Sequence, residues 1–354
     1  MSGAATTQSR PSDLPFLDAL RGLLIVFVVA IHAGSYAQLP AGWQLELTMF
    51  VVATATVKTF FLVDGFLFAR SLEKSIQPGA WSRLRASSMR LLLPWLLFSS
   101  AYLLLRVYGS RLGALPLASM PEGRWSWSAA WSALWYSETS AQMYFLVSLF
   151  AVRCVAICGI ALLQRCSAAV LALLALALAL AFRVAVEPRV LAANPRSVMD
   201  PLLLAFGGSA FFVAGMAMWR ARCQAYRWRL PLAGALLLAA IAATRIDTAW
   251  ARTIQEFGYG AALFLAFAAL AGAPAWLAAI GRRTMGIYLL HLPIIMHAVA
   301  MLVRTLLGLA GFPAYLLIVP LTALASLIAV LCFERLGMAR LLFGEIRVAA
   351  RAQG

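Results

Sequence analysis

Apolar runs of about twenty residues alternate along this chain with short polar connections. That is the spacing a bilayer imposes on helices that rise ~1.5 Å per residue. The first run, Leu14 to Ser35, reads LPFLDALRGLLIVFVVAIHAGS and predicts span 1. Tyr36 to Gln44 leads to span 2, roughly Leu45 to Phe68, and a basic loop with Arg70, Lys74, Arg83, Arg85 and Arg90 follows. Span 3 covers about Met89 to Tyr108, with Pro94 near its start, where a missing N–H costs little. The longest connection, Gly109 to Ser140, holds Trp125, Trp127, Trp131 and Trp135, which suits an interfacial belt or a short helix lying on the membrane. Six more spans are expected, at about Ala141–Leu163, Ala168–Val186, Pro201–Trp219, Leu230–Thr244, Ile254–Ala271 and Thr284–Leu307. A last one, about Ala314 to Phe333, brings the total to ten.

Composition strengthens this picture. Of 354 residues, 63% are hydrophobic and 12% charged, about half the charge of a soluble domain. The apolar runs are too long for barrel strands, so the pattern predicts an all-α polytopic membrane helix bundle. Residues 1–13 are expected to form a disordered cytosolic tail, 14–334 the transmembrane domain and 335–354 a basic cytosolic tail. The first ten residues are polar and the first apolar run is of full length, which does not fit a cleavable signal. Lys and Arg are in excess on one side of the predicted spans, which places both termini inside. A net charge of +16 would point to nucleic acid in a soluble protein. Here the basic residues fall in short connections, so membrane lipids are the expected partners and nucleic acid is not.

Charge within the spans marks candidate chemistry. Span 1 carries Asp18, Arg21 and His32. Arg21 and His32 are eleven residues apart, about three turns, so they share a helix face some ~16 Å apart. Asp18 lies one turn before Arg21, the spacing of an ion pair. His291 sits near the middle of span 9, just before Pro293. Two histidines in two spans, with few other ionisable groups at depth, are expected to share a polar cavity. His297 lies on another face and reads as packing. Lys58 and Asp64, six apart in span 2, do not face one another, so each is expected to pair elsewhere, while Gly65 allows close approach. Gln142 and Tyr144 open span 4 and either line a cavity mouth or anchor the interface. Arg83, Arg85 and Arg90 are candidates to hold a polyanionic cofactor, because guanidinium pairs with phosphate in two-pronged fashion. The five cysteines, Cys154, Cys158, Cys166, Cys223 and Cys332, lack metal-ligand spacing and indicate no disulfide framework.

Several stretches, in order, resemble the acyltransferase-3 family of membrane O-acyltransferases. LDALRGLLIVFVVAIH is similar to the family's opening, with Arg21 and His32 at the family spacing. FFLVDGFLFARSL, RLLLPW, MYFLVSLF, MGIYLLHLPII and CFERL resemble its later segments. Asp64 stands where the family usually has Ser, and Leu336 replaces a closing Pro. The resemblance implies a bacterial inner-membrane, multi-pass enzyme. It would move an acyl group, most simply acetyl, from cytosolic acyl-CoA to a hydroxyl of a cell-surface or lipid-linked glycan. Acetyl-CoA is then a co-substrate rather than a resident cofactor, and no metal is expected. Arg21 and the three later arginines would hold the donor. His32 would act as general base or carry the acyl group covalently, His291 would orient the acceptor or stabilise the oxyanion, and Asp18 would fix Arg21. Two other readings compete. One is a proton-coupled transporter or glycan exporter using Asp18, Arg21, His32 and Asp64 as a relay. The other is a catalytically silent membrane receptor or assembly partner.

Overall fold

The computed structural model describes residues 14–40, 42, 56–73, 79–111, 125–193, 200–246, 248–270 and 272–344. The expected disordered tail, the start of span 2, Lys74, the middle of the Trp-rich connection and the tail beyond Gly344 lie outside them. The described residues form helices and their connections, with no strand among them.

Helix α1, Pro15–Tyr36, is the central element. Its most apolar stretch is 61% buried, against 22% for the equivalent stretch of Ala168–Arg189. Leu20, Leu24 and Ile25 are fully enclosed. Around it stand α2 (Thr56–Leu72), α3 (Ala80–Arg111), the short α4 (Trp127–Trp135), α5 (Tyr144–Cys158) and α6 (Ala168–Leu180). After a π-helical turn and α7 (Glu187–Ala193) come α8 (Pro201–Arg220), α9 (Arg229–Ala243) and α10 (Ala249–Ala269). The last group is α11 (Ala275–Arg282), α12 (Thr284–Leu290), α13 (Met296–Leu307) and α14 (Gly311–Arg335).

Among the described residues, seven helices are long and apolar enough to cross a membrane. The other three expected spans correspond to α2 with 17 described residues, α9 with 15, and α10, whose first turns carry Arg252 and Glu256. Local signals explain several boundaries. Asp200 caps α8 by accepting from the Leu202 and Leu203 amides at 2.8 and 3.2 Å, with Pro201 in the first turn. Ser126 caps α4 at the Ala129 amide, 3.1 Å away. Two expectations are corrected at α3. The stretch holding Arg83, Arg85 and Arg90 is not a loop but the first turns of α3, and Pro94 lies inside that helix rather than near its start. Polar residues there run helically beyond the apolar segment, so polarity alone set the boundary too late.

Small residues bring helix backbones together, as lipid-embedded packing requires. A Cβ on Gly65 of α2 would run into the Phe212 backbone of α8, and one on Gly215 of α8 into Leu62 and Phe66 of α2. Gly22 of α1 and Gly281 of α11 meet the backbones of Leu277 and Asp18 in the same way.

Buried charge is compensated across helices. Lys58 of α2 pairs with Glu256 of α10. Arg183, in the π-helical turn Ala181–Val186, also reaches Glu256 and holds Glu187 at 2.6 Å. One carboxylate therefore serves two cations from two other elements. Glu256→Gln leaves both without it and is expected to cost about 3–5 kcal/mol, read as a fall in melting temperature of the purified protein. Lys58→Met combined with Glu256→Met, which leaves Arg183 with Glu187, is expected to recover most of that loss.

Candidate active site

Five elements enclose a cavity of about 370 Å³: α1, α2, α3, α5 and the start of α12. Four arginines line it, Arg21, Arg83, Arg90 and Arg153, against one carboxylate, Asp64. Helix geometry selects among the predicted arginines. Arg83 and Arg90 are seven apart, two turns on one face of α3. Arg85 is two positions from Arg83, about 200° around the helix. It is exposed and is not among the cavity-lining residues.

Arg21 projects into this cavity from α1 and, among the described residues, makes no ion pair within 4.0 Å. Asp18, 4% exposed, does not close on it; its carboxylate lies 3.9 Å from Arg282 at the end of α11. The Gly22 and Gly281 crossing brings α11 close enough for that contact. Asp18 and Asp64 both act on Arg21 through their charge, as does Arg153. Asp64 is clamped by Arg153, whose Nε donates at 2.7 Å while a second guanidinium nitrogen reaches the other oxygen. Arg153 Nη1 also lies 3.4 Å from Ser87 Oγ. Sequence reasoning passed over Arg153, although a lone arginine in the middle of a span was the available signal. Arg83 Nη1 donates to Ser71 Oγ at 3.0 Å.

The two histidines come together further along α1. The rings of His32 and His291 are 5.5 Å apart, tilted by 41°. His291 is fully buried and His32 half-buried. A break in the helix sets their surroundings. Pro293 has no N–H to give the Leu289 carbonyl, and the Tyr102 hydroxyl donates to that oxygen instead at 2.7 Å. Leu292 is non-helical, and its carbonyl accepts from Gln142 Nε2 at 3.1 Å. His291 Nδ1 lies 2.7 Å from the Tyr288 carbonyl and 3.2 Å from that of Ile287. Carbonyl oxygens only accept, so Nδ1 carries the hydrogen in the neutral ring. Nε2 is then a buried lone pair without a partner. That fixes what a neutral His291 can do: it can accept a proton or a hydrogen bond, and it has no N–H left for an oxyanion.

The cavity does not include the imidazoles. Tyr288 borders both, lining the cavity with its ring 6.0 Å from that of His291. Its hydroxyl donates to the Gln142 carbonyl, and Phe145 packs against it at 5.7 Å. Gln142 thus stands beside the histidine pair. Tyr144 is half-buried beside the cavity wall rather than among its lining residues. Lys58 is held away in the Glu256 cluster, and His297 is exposed against Tyr36. No group of three or more His, Cys, Asp or Glu among the described residues could hold a metal ion.

Searches of curated proteins and of solved structures return no significant match. The acyltransferase-3 family model, described as an acyltransferase domain, matches residues 14–333. That range takes in the His32–His291 pair, all four cavity arginines and the spans described above as far as Phe333 of α14, so the chain belongs to the acyltransferase-3 family of membrane acyltransferases.

Proposed function

We propose that this protein is an inner-membrane O-acyltransferase of bacteria. It moves an acyl group, most simply acetyl, from cytosolic acyl-CoA to a hydroxyl of a cell-surface or lipid-linked glycan. One observation carries the reading: two imidazoles from separate helices meet 5.5 Å apart, past the end of a cavity lined by four arginines. Four guanidinium groups against one carboxylate favour a ligand with several negative charges, and the phosphates of an acyl-CoA supply them. The thin acyl-bearing arm has to pass Tyr288 to reach the histidines.

His32 is the general base. It takes the proton of the acceptor hydroxyl as that oxygen attacks the thioester carbonyl, and the carbon–sulfur bond then breaks. The departing thiolate takes the proton back, leaving an ester and free CoA thiol. His291 offers its lone pair to a hydroxyl of the acceptor and so orients it. The relay reading fits less well, because Asp64 is clamped by Arg153 rather than free to exchange a proton.

Titration of the purified protein with acetyl-CoA, followed calorimetrically, tests the donor site. Arg21→Ala, Arg83→Ala and Arg90→Ala are each expected to weaken binding about tenfold or more, whereas Arg85→Ala stays near wild type. Equal losses at Arg85 and Arg83 would refute the assignment of the cavity. Release of CoA thiol tests the chemistry: His32→Ala is expected to slow turnover by about 10²–10⁴-fold while acetyl-CoA binding persists. His291→Ala is expected to raise the KM for the acceptor as well as lower kcat.

A further inference from the structure

Helix α3 carries arginine on two sides, and the cavity accounts for one of them. Arg83 and Arg90 line the cavity. Arg85, on the other side, is exposed and makes no hydrogen bond or ion pair among the described residues. Its neighbours on that side are apolar. At about 100° per residue, Trp81, Arg85, Met89 and Leu96 fall within about 80° of one another. Trp81, Met89 and Leu96 are 76%, 46% and 51% exposed. The helix is continuous from Ala80 to Arg111, so this stripe runs from its polar first turns into its apolar span.

Length sets the depth of the stripe. Trp81 and Tyr108 are both exposed, near the two ends of α3, and lie ~40 Å apart along the helix axis. That separation matches the two headgroup regions of a bilayer, where Trp and Tyr settle. Arg85 is one turn further in than Trp81, ~6 Å along the axis. A hydrocarbon core ~30 Å thick begins at about that level, just inside the lipid phosphates. There the arginine stem lies along acyl chains and the guanidinium reaches outward. A cation at that level needs an anion, and none of the described residues supplies one to Arg85.

We propose that the Trp81–Arg85–Met89 face of α3 is a binding site for the phosphate of an anionic phospholipid, in the leaflet at the Ala80 end of the helix. Arg85 forks onto the phosphate oxygens. Trp81 beds beside the headgroup, and Met89 and Leu96 lie against the acyl chains. A lipid with net negative charge, such as phosphatidylglycerol, is preferred over phosphatidylcholine, whose own quaternary ammonium offsets its phosphate. The site rests on the membrane-spanning fold and goes beyond the acyl-transfer reading, on which it does not depend.

The test uses the full-length protein in dodecyl maltoside, with bound lipid counted by native mass spectrometry as dioleoyl phosphatidylglycerol or dioleoyl phosphatidylcholine is added. Wild type is expected to hold phosphatidylglycerol in preference to phosphatidylcholine. Arg85→Ala is expected to weaken one phosphatidylglycerol site about fivefold or more, whereas Arg85→Lys, which keeps the charge, retains most of it. Melting temperatures give a second reading: phosphatidylglycerol should raise that of wild type more than that of Arg85→Ala, while the two match in phosphatidylcholine. Equal phosphatidylglycerol binding by wild type and Arg85→Ala overturns the proposal. So does a wild type that holds phosphatidylcholine as tightly, a comparison that needs no variant to fold. Displacement of the lipid by millimolar inorganic phosphate makes the site one for free anions and overturns it too. The expected lipid pattern in a protein that binds no acyl-CoA supports the site and refutes the functional reading alone.

Discussion

A guanidinium inside a lipid-embedded bundle needs either a counter-charge or water, because the cost of leaving it in hydrocarbon is several kcal/mol. Most of the buried cations here take the first course. Arg153 has Asp64, Lys58 and Arg183 share Glu256, Arg283 grips Glu334 with bonds of 2.8 and 3.0 Å, and Arg282 approaches Asp18. Arg21 takes the second. It stands on the most buried of the seven candidate spans among the described residues, makes no ion pair among them, and opens onto the cavity. Arg21 shares that cavity with the Arg153–Asp64 pair.

The same contrast separates structural from chemical use of polar residues. Glu334, which closes the chain's last span, ties α14 to the entrance of α12 through Arg283. Asp64 holds Arg153 and thereby shapes the cavity wall without adding to its negative edge. Near the helix break, nearly every polar atom is used: Tyr102 covers the carbonyl that Pro293 leaves open, and Gln142 covers the next. His291 Nε2, by contrast, has no partner.

The sequence made α1 legible as the organising helix, since charge within an apolar run admits few explanations. It also put Arg21 and His32 on one face, eleven residues apart, and brought His32 together with His291 because few other ionisable groups lie at depth; the cavity that Arg21 lines does not extend to the two rings. It put Lys58 and Asp64 with separate partners for the same geometrical reason. What it could not supply was phase. Arg83, Arg85 and Arg90 look alike in a stretch read as a loop; only their place on α3 sends two of them inward and one out. Asp18 pairs across to Arg282 because two glycines, Gly22 and Gly281, draw α1 and α11 together, a tertiary contact that spacing within one helix does not encode. The hydrogen on His291 is likewise invisible in the sequence, being dictated by main-chain oxygens at the break.

The layer made by Tyr288, Phe145 and the Gln142 carbonyl has a bearing on bioenergetics. Water-filled openings in a membrane protein endanger the electrochemical gradient, since protons move wherever water is continuous. Here Tyr288, held by its phenol to the Gln142 carbonyl, stands between the arginine-lined cavity and the imidazoles. A ring held by its own hydroxyl to a main-chain oxygen closes that end of the vestibule without a charged group.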